Sequence, residues 1–356
     1  MSILNNNLNA FGLDFSDRAI KVAMLERRND KLELHGYGRE ELPAGVIEDG
    51  EIKQPEELAV FIRQALSSAA PAPIRSKFVI YSIPETKGFI RVIWVSEAQA
   101  DDLESAVYAE IEQLFPISLE ESYVDWQVLD RKDGHFEILA AAVPQTIVDS
   151  YSEALNLAGL KPVAAEIESI AICRSLINEQ LSQKPTLIID LGMDRTGFII
   201  FKAPTVQFTA SIPVCGRELN RAIAKKLGVS EEEAQHMKEK CGLNTRGDCE
   251  KIFMAMDSGL AEMTGYIEKL LGYYRDHYPS EQDIAKVIIC GGESRLTGVS
   301  SLLSLKIKKE VEKGNPWVNI IPSEEKEIPV ISRGDSLIFV TVLGLALRGV
   351  EEDSSI

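Results

Sequence analysis

The most distinctive pattern of hydrophobic and polar positions in this chain occurs twice: an apolar run, an aspartate, a short polar turn and a second apolar run. In the first copy, Asp14 lies between apolar stretches that end at Leu25. In the second copy, Asp190 lies between apolar stretches that end at Phe201. Each copy predicts a β-hairpin that carries a carboxylate at its tip.

Elsewhere, apolar residues at helical spacing predict helices, and short β-branched or aromatic runs predict strands. The predicted helices are Pro55–Ala69, Ser96–Leu114, Gln145–Leu157, Ala165–Leu181, Gly216–Leu227, Ser230–Cys241, Glu250–Asp276, a helix that begins at Val299, and Asp335–Leu347. The further predicted strands are Lys31–Glu40, Lys77–Ser82, Phe89–Val95, Tyr123–Leu129, Phe136–Val143 and Lys286–Cys290. Ser230, with Glu233 three residues later, forms a capping box that marks a helix start.

The stretch from Gly88 to Pro162 predicts a unit of its own, with the order β-α-β-β-α. A turn at Asp133-Gly134 joins its two later strands. The length of 356 residues suits two lobes better than one core. The fold class is therefore α/β, with two lobes and a small inserted unit.

The formal net charge of −17 argues against nucleic acid as a partner and against direct docking on an anionic membrane. No apolar run approaches the roughly 20 residues of a membrane helix. Met1–Asn9 is rich in Asn and lacks the basic region of a signal peptide, so a cytoplasmic location without membrane insertion is expected. The 5 cysteines form no CxxC pair, and free thiols are expected rather than a disulfide or a metal site.

The two hairpin tips have features that suit a bound phosphate. A phosphate-binding loop needs N–H donors and little side-chain bulk, and the small residues Ser16 and Gly192 follow the two aspartates by two positions. A carboxylate beside a phosphate is favourable when Mg²⁺ lies between them, held through water. We therefore expect Asp14 and Asp190 to face a nucleotide and a metal ion. The alternative is an ordinary hairpin with an aspartate in its turn.

A third element is the strand Lys286–Cys290, which leads into Gly291-Gly292 and a predicted helix start. Paired glycines after a buried strand allow a flat ligand to approach the backbone closely. The alternative is a simple strand-to-helix turn.

The order of these elements resembles the phosphate 1, phosphate 2 and adenosine motifs of the actin/Hsp70/hexokinase nucleotide-binding fold. Within that fold the chain is similar to the PilM family of type IV pilus assembly proteins, relatives of the division protein FtsA. The segments that carry this similarity are Leu114–Pro116, Val124–Leu129, Ala142–Pro144, Ala158–Pro162, Ala165–Ala171, Gly216–Leu219, Leu227–Val229 and Gly344–Arg348.

The resemblance implies a two-lobed actin-like fold, a duplicated ribonuclease-H-like fold, with an inserted subdomain 1C of the FtsA type. The implied subdomains are 1A (10–87 and 163–185), 1C (88–162), 2A (186–218 and 284–350) and 2B (219–283), followed by an acidic tail at 351–356.

The resemblance also implies that ATP and Mg²⁺ bind between the lobes. The residues expected to contact the nucleotide, from the resemblance and from the charges near the tips, are Asp14, Ser16, Asp17, Lys21, Asp190, Gly192, Thr196, Gly216, Lys238, Gly291, Gly292, Ser294 and Arg295. Asp14 and Asp190 are expected to hold Mg²⁺ through water. Glu166 is expected on the first connecting helix, where related ATPases keep a water-orienting acid. The family's usual Asp-Ile-Gly is Asp14-Phe15-Ser16 here, and hydrolysis is expected to be slow at most.

The implied function is a cytoplasmic, ATP-binding scaffold of the type IV pilus machinery. In the family, a groove between 1A and 1C binds the cytoplasmic N-terminal peptide of the inner-membrane protein PilN, which would place the scaffold at the inner face of the membrane. Other pilus proteins are expected partners, and self-association is left open. The alternatives are a kinase of the same fold, for which no acceptor motif is found, and an FtsA-like division protein. The acidic end Glu351–Ile356 differs from the basic amphipathic helix that attaches FtsA to membranes.

Overall fold

The computed structural model describes residues 9–29, 31–182, 184–277, 283–321 and 330–350, so the predicted acidic tail lies outside the described residues. The strands are β1 (Phe11–Phe15), β2 (Ala19–Arg28), β3 (Lys31–Glu41), β4 (Ile47–Glu48), β5 (Glu51–Ile52), β6 (Ala70–Pro71), β7 (Phe78–Ile83), β8 (Phe89–Ser96), β9 (Ser122–Lys132), β10 (His135–Pro144), β11 (Lys161–Ile167), β12 (Thr186–Leu191), β13 (Thr196–Lys202), β14 (Thr205–Ile212), β15 (Lys286–Cys290) and β16 (Val311–Lys313).

The helices are α1 (Pro55–Ser68), α2 (Leu103–Leu114), α3 (Gln145–Leu157), α4 (Glu168–Leu176), α5 (Glu179–Ser182), α6 (Gly216–Leu227), α7 (Glu231–Cys241), α8 (Cys249–His277), α9 (Val299–Ile307), α10 (Arg333–Ser336) and α11 (Val340–Arg348). Short 3-10 helices lie at Glu97–Asp102, Gly292–Arg295 and Leu337–Phe339. In the parts of the chain that the structure describes, no helix is both long and apolar enough to cross a membrane.

Two sheets repeat one arrangement and form the two lobes. The first has the strand order β11-β7-β1-β2-β3-β6, and the second has the order β14-β13-β12-β15-β16. In each, a buried central strand pairs antiparallel with the next strand of its hairpin and parallel with a later strand: β1 with β2 and β7, and β12 with β13 and β15. The two predicted hairpins are confirmed. Because strands buried on both faces are apolar throughout, their sequences show a continuous run rather than an alternation.

A third, smaller sheet with the order β8-β10-β9 carries α2 on one face. Its core includes Ile93, Val107, Ile111 and Ile138. The predicted element order β-α-β-β-α is confirmed, but the buried side chains of the last helix pack in the core of the first lobe rather than in the core of this unit. Tyr151 and Leu155 of α3 join the core of the first lobe, so the helix predicted to belong to 1C packs with 1A.

Helices α4 and α11 cross between the lobes. α4 follows β11 of the first sheet, yet its Ile172 and Leu176 pack against Ile188 of the second sheet. α11 follows elements of the second lobe, yet its Leu343 packs with the first sheet. The crossing is tight at Gly344, where an added Cβ would lie 1.8 Å from the carbonyl oxygen of Ala171. Any larger residue at position 344 would push the two helices apart.

Helices α6, α7 and α8 form a helical layer on the second lobe, with a core that includes Leu219, Ile223, Ala234 and Met256. The predicted cap is confirmed, since Ser230 Oγ accepts a hydrogen bond from the N–H of Glu233 at 3.1 Å. The expectation that every cysteine is a free thiol was wrong. Cys241 and Cys249 form a disulfide across the loop between α7 and α8, and Cys173, Cys215 and Cys290 are free.

Two predicted helices differ from their predicted extents. The helix predicted from Ala165 begins at Glu168, because Lys161–Ile167 forms β11 beside β7. The final helix, predicted as Asp335–Leu347, is divided into α10, a 3-10 turn and α11. Both segments are apolar over a short length, where helical and strand periodicity are hard to separate.

Candidate functional site

Asp14 occupies the next-to-last position of β1, where the first hairpin begins to turn. Its carboxylate accepts hydrogen bonds from Lys21 Nζ at 2.7 Å and from Ser82 Oγ at 2.9 Å. Lys21 is its cross-strand neighbour on β2, and Ser82 lies on the parallel neighbour β7. Asp14 is buried, and hydrogen bonds from both neighbouring strands, β2 and β7, hold its carboxylate in place.

Asp190 occupies the equivalent position on β12 of the second hairpin. Burial raises the pKa of Asp190 above its usual value, and the charge of Asp14 raises it further, whereas Arg195 and Lys21 lower it. Asp14 and Lys21 belong to the first lobe. Their charges act on Asp190 from across the boundary between the lobes.

The glycine element that follows β15 lies directly against Asp190. Gly291 has a φ of +82°, and an added Cβ would lie 2.3 Å from Asp190 Oδ1. The buried Ser294 donates from its hydroxyl to the Gly291 carbonyl at 2.6 Å, and Gly292 begins the 3-10 helix. The structure therefore brings the second hairpin and the third predicted element together, and Gly291 is the residue that allows their close approach.

Ion pairs connect the two lobes across the cleft. Arg18 Nε, in the first hairpin turn, lies 3.1 Å from Asp194 Oδ1 in the second. Arg195 pairs with Glu168, the first residue of α4. Burial raises the pKa of Glu168 to about 7, although the charge of Arg195 opposes this, and the Glu168 carboxylate in turn raises the pKa of Arg195. The cations of the cleft are paired with carboxylates of the protein itself.

The first hairpin turn uses its small and acidic residues for internal contacts. The backbone N–H of Ser16 donates to the carbonyl of Ala19 at 3.0 Å. The Asp17 carboxylate accepts the N–H groups of Asp49 and Gly50, each at 2.9 Å. Asp17 therefore holds the β4–β5 turn, and its charge is partly offset by those two donors.

The second turn is closed in the same way. The N–H of Gly192 donates to the carbonyl of Arg195 at 3.0 Å, and the Gly192 carbonyl accepts the N–H of Gly216 at 3.1 Å. Thr196 is buried and donates to the carbonyl of Val214 at 2.7 Å. The backbone N–H groups of Ser16 and Gly192 are thus both engaged within their own turns.

Lys238 and Arg295 are both paired with acids. Lys238 has no exposed surface, and its ammonium lies 2.7 Å from the Glu293 carboxylate and 3.2 Å from the Gly216 carbonyl. Arg295 lies 3.0 Å from Asp335 at the surface. Both lie beside the glycine element, and each cation is neutralised locally.

Glu166 is not on a helix, which corrects the expected placement. It lies near the end of β11, is buried, and pairs with Arg174 and Arg348, each at 2.6 Å. These contacts tie β11 to α4 and to the end of α11. Glu168, two residues later, is the acid at the N-terminus of the connecting helix and is the one that faces the cleft cations.

Sequence reasoning missed several residues of the cleft. They are Arg18, Ser82, Glu85, Glu168, Asp194, Arg195, Arg217 and Glu293. One signal was available: both turns contain an Asp-Arg pair, Asp17-Arg18 and Asp194-Arg195. No sequence signal marked Glu85, because its neighbours Ser169, Arg195 and Thr209 are distant in the sequence. Burial raises the pKa of Glu85.

The donor set of this cleft suits a nucleotide with a divalent cation. Mg²⁺ prefers oxygen ligands. In proteins it commonly binds one or two carboxylate oxygens, and water and phosphate oxygens supply its other ligands. Asp14 and Asp190 can supply the carboxylates, and because an ammonium has three N–H donors, Lys21 can contact a phosphate while it remains paired with Asp14. Among the described residues, no group of three or more His, Cys, Asp or Glu side chains could hold a metal on its own.

Comparison with known proteins agrees with this architecture. The family model described as type IV pilus assembly protein PilM matches residues 12–350. The cell division protein FtsA of Streptococcus pneumoniae is 25% identical over 250 residues, which cover 64% of this chain and 54% of that protein. FtsA of Bacillus subtilis is 23% identical over 264 residues, which cover 67% and 59%. The chain thus spans little more than half the length of these curated relatives.

Solved structures share the fold. The structure titled PilM-PilN type IV pilus biogenesis complex superposes with a TM-score of 0.80 at 23% identity, covering 98% of this chain and 100% of that chain. MreB5 of Spiroplasma citri bound to AMPPNP superposes with a TM-score of 0.59 at 12% identity, covering 95% of this chain and 94% of that chain. EutJ of Carboxydothermus hydrogenoformans superposes with a TM-score of 0.58 at 16% identity, covering 95% of this chain and 89% of that chain.

The predicted two-lobed actin-like fold is confirmed by these neighbours, which differ widely in sequence. The family model extends over nearly the whole chain, from the first hairpin to the end of α11. On this evidence the chain belongs to the PilM family of type IV pilus assembly proteins.

Proposed function

We propose that the protein is an ATP-binding scaffold of the type IV pilus assembly machinery, which binds Mg·ATP between its lobes. The observation that carries the nucleotide assignment is the pair Asp14 and Asp190, which occupy equivalent positions of two hairpins whose turns are joined by the Arg18–Asp194 ion pair. The AMPPNP-bound MreB5, which has the same fold, supports it. Family membership favours this function over an actin-fold kinase or an FtsA-like division protein.

In the proposed complex, Asp14 and Asp190 hold Mg²⁺ through coordinated water. Lys21 is the cation next to Asp14, and it would offer its ammonium to a phosphate. The base and ribose would lie near Gly291, Gly292 and the start of α6. Mg²⁺ supplies charge neutralisation between the carboxylates and the phosphates.

We further propose that a partner peptide binds along the open face of the 1C sheet, beside α3. On the face opposite α2, cross-strand neighbours Val92 and Leu139 form an apolar strip that ends at the half-exposed Trp94. Tyr123 Oη donates to Asp149 on α3 at 3.1 Å and closes one side. The structure titled PilM-PilN complex supports a partner of the PilN type.

The charge of this region suits a basic peptide. A shallow cavity of about 450 Å³ beside α3 is lined by Asp149, Ser152, Glu153, Asn156 and Leu157. Cytoplasmic segments next to a membrane helix are enriched in Lys and Arg. An extended peptide of this kind would combine apolar pockets with ionic contacts to Asp149 and Glu153. Such a partner would hold the protein at the inner face of the membrane.

Calorimetry with Mg·ATP tests the nucleotide assignment. The wild-type protein should bind, and Asp190→Ala should abolish detectable binding. Asp283→Asn is the matched control, because Asp283 forms an ion pair with Lys309 in the same lobe but outside the cleft. Unchanged affinity in Asp190→Ala, with the protein folded, would contradict the assignment.

Fluorescence anisotropy with a labelled N-terminal peptide of a PilN-like protein tests the proposed peptide site on the open face of the 1C sheet. Trp94→Ala should weaken binding at least about tenfold if Trp94 is a central anchor. Leu305→Ala, which removes an exposed side chain from α9, is the control and should leave binding unchanged. Binding should weaken as salt is added, because the ionic contacts are exposed. If the peptide does not bind at any salt concentration, the proposed peptide site on the 1C sheet is rejected.

A further inference from the structure

The two hairpin turns contain the same Asp-Arg pair, but the two aspartates have different partners. Asp17 accepts N–H groups within the first lobe. Asp194 instead pairs with two arginines from different lobes, Arg18 of the first hairpin and Arg217 at the start of α6. The second aspartate is therefore the one that bridges the cleft.

Arg18 and Arg217 form an anion site that one carboxylate oxygen now fills. Arg18 Nε lies 3.1 Å from Asp194 Oδ1, and Arg217 donates to the same oxygen. Within the described residues, Arg217 Nε is buried and has no hydrogen-bond acceptor. The site thus combines two guanidinium groups, a single carboxylate and a spare buried donor.

A phosphate group would fit such a site better than a carboxylate. It offers more charge and three acceptor oxygens, and guanidinium groups bind it through paired hydrogen bonds. Within this site, two guanidinium groups face the single carboxylate of Asp194. Asp194 is also partly exposed, so it can leave the site without exposing a core.

We propose that Asp194 is an internal anion that occupies the Arg18–Arg217 site and latches the two hairpin tips together, and that a phosphate group of the ligand displaces it. The second cross-lobe pair, Arg195 with Glu168, lies beside it and adds to the closure. This inference rests on the proposed nucleotide site, whose access the latch controls.

Asp194→Asn tests the latch without nucleotide. Amide hydrogen exchange at residues 15–18 and 192–195 should become about fivefold faster, the effect of losing ion pairs of modest strength. Arg18→Gln should have a similar effect by removing the opposite partner. Glu218→Gln is the control: it removes the same charge from α6, but Glu218 pairs with Arg221 outside the site. Exchange unchanged in both latch variants would overturn the proposal.

Binding of inorganic pyrophosphate tests the anion site separately. Asp194→Asn should bind it about tenfold more tightly than the wild type, because the competing carboxylate is lost. The double variant Asp194→Asn, Arg217→Gln should lose this gain. Equal pyrophosphate affinity in wild type and Asp194→Asn would overturn the anion site.

ATP titrations separate this proposal from the proposed function. If Asp194→Asn gains pyrophosphate affinity and faster exchange but neither protein binds ATP, the nucleotide assignment fails and the latch stands. If both proteins bind ATP equally and exchange is unchanged, the nucleotide assignment stands and the latch is overturned.

Discussion

The ammonium of Lys238 lies 2.7 Å from the carboxylate of Glu293, and the lysine side chain is completely buried. This pair joins α7 of the helical layer to the 3-10 helix that follows β15. Because the same ammonium also donates to the Gly216 carbonyl, one cation connects three elements that border the cleft. The position of the helical layer relative to the glycine element therefore depends on this pair.

Lys238→Met should destabilise the protein by about 3–5 kcal/mol, because it leaves the Glu293 carboxylate buried without a counter-charge. Adding Glu293→Gln should recover part of this loss, because the uncompensated charge is then gone. Urea unfolding of the single and double variants measures both effects and their coupling. Additive losses would show that the two groups do not depend on each other.

Gly291→Ala should weaken nucleotide binding and lower the free energy of unfolding by about 2 kcal/mol or more, because it combines a positive φ with a Cβ directed at Asp190. Gly292→Ala is the matched control for stability, since the atom nearest to a Cβ added at Gly292 belongs to Ile338 and is 3.9 Å away. Urea unfolding of both variants and ATP titration of Gly291→Ala check this. Equal effects at the two positions would contradict the assigned contact.

The carboxyl of Glu168 should make stability depend on pH. Its pKa is about 7 in the folded protein and 4.5 as the reference for an exposed group. Between these values the folded state binds a proton that the unfolded state does not, so the free energy of unfolding falls as pH rises from 4.5 to about 7.

Glu168→Gln lacks this titration, so the wild type should lose stability relative to the variant by up to about 3 kcal/mol over that range. Urea unfolding of both proteins from about pH 5 to about pH 8 measures the difference. Asp190 and Glu85, whose pKa values are also raised by burial, are present in both proteins. Parallel pH curves would refute the assignment to Glu168.

Reduction of the Cys241–Cys249 disulfide should lower the free energy of unfolding by about 2–3 kcal/mol, the chain-entropy effect expected for a short closed loop. The loop packs on the turn after the glycine element, where the N–H of Leu243 donates to the Thr297 carbonyl at 2.9 Å. Unfolding with and without dithiothreitol tests this. The double variant Cys241→Ser, Cys249→Ser should not respond to the reductant, and an identical response in both proteins would contradict the prediction.

The hairpins and the glycine element could be predicted because their signals are local. An apolar run, an aspartate and a turn lie within a few residues of one another, and Gly291 follows its strand directly. The prediction that a helix begins at Ala165 was wrong for Glu166, because a short apolar segment does not distinguish helical from strand periodicity. Its pairing with β7 comes from a strand far earlier in the chain.

The partners of the charged site residues could not be predicted. Lys238 meets Glu293, and Arg18 meets Asp194, only after the chain has folded. The sequence pattern also did not show that the N–H groups of Ser16 and Gly192 are used within their own turns. A tight hairpin turn satisfies its own donors first, because an unpaired backbone group is costly.

The crossing of α4 and α11 at Gly344 also has a consequence for synthesis on the ribosome. The first sheet is covered by α11, which is made after both sheets, while α4, which is made between them, covers the second sheet. An emerging N-terminal half would therefore expose an apolar sheet face until residue 348 has left the exit tunnel. The two halves should complete their folding together only after α11 has emerged, and a chain truncated before α11 should need chaperones to remain in solution.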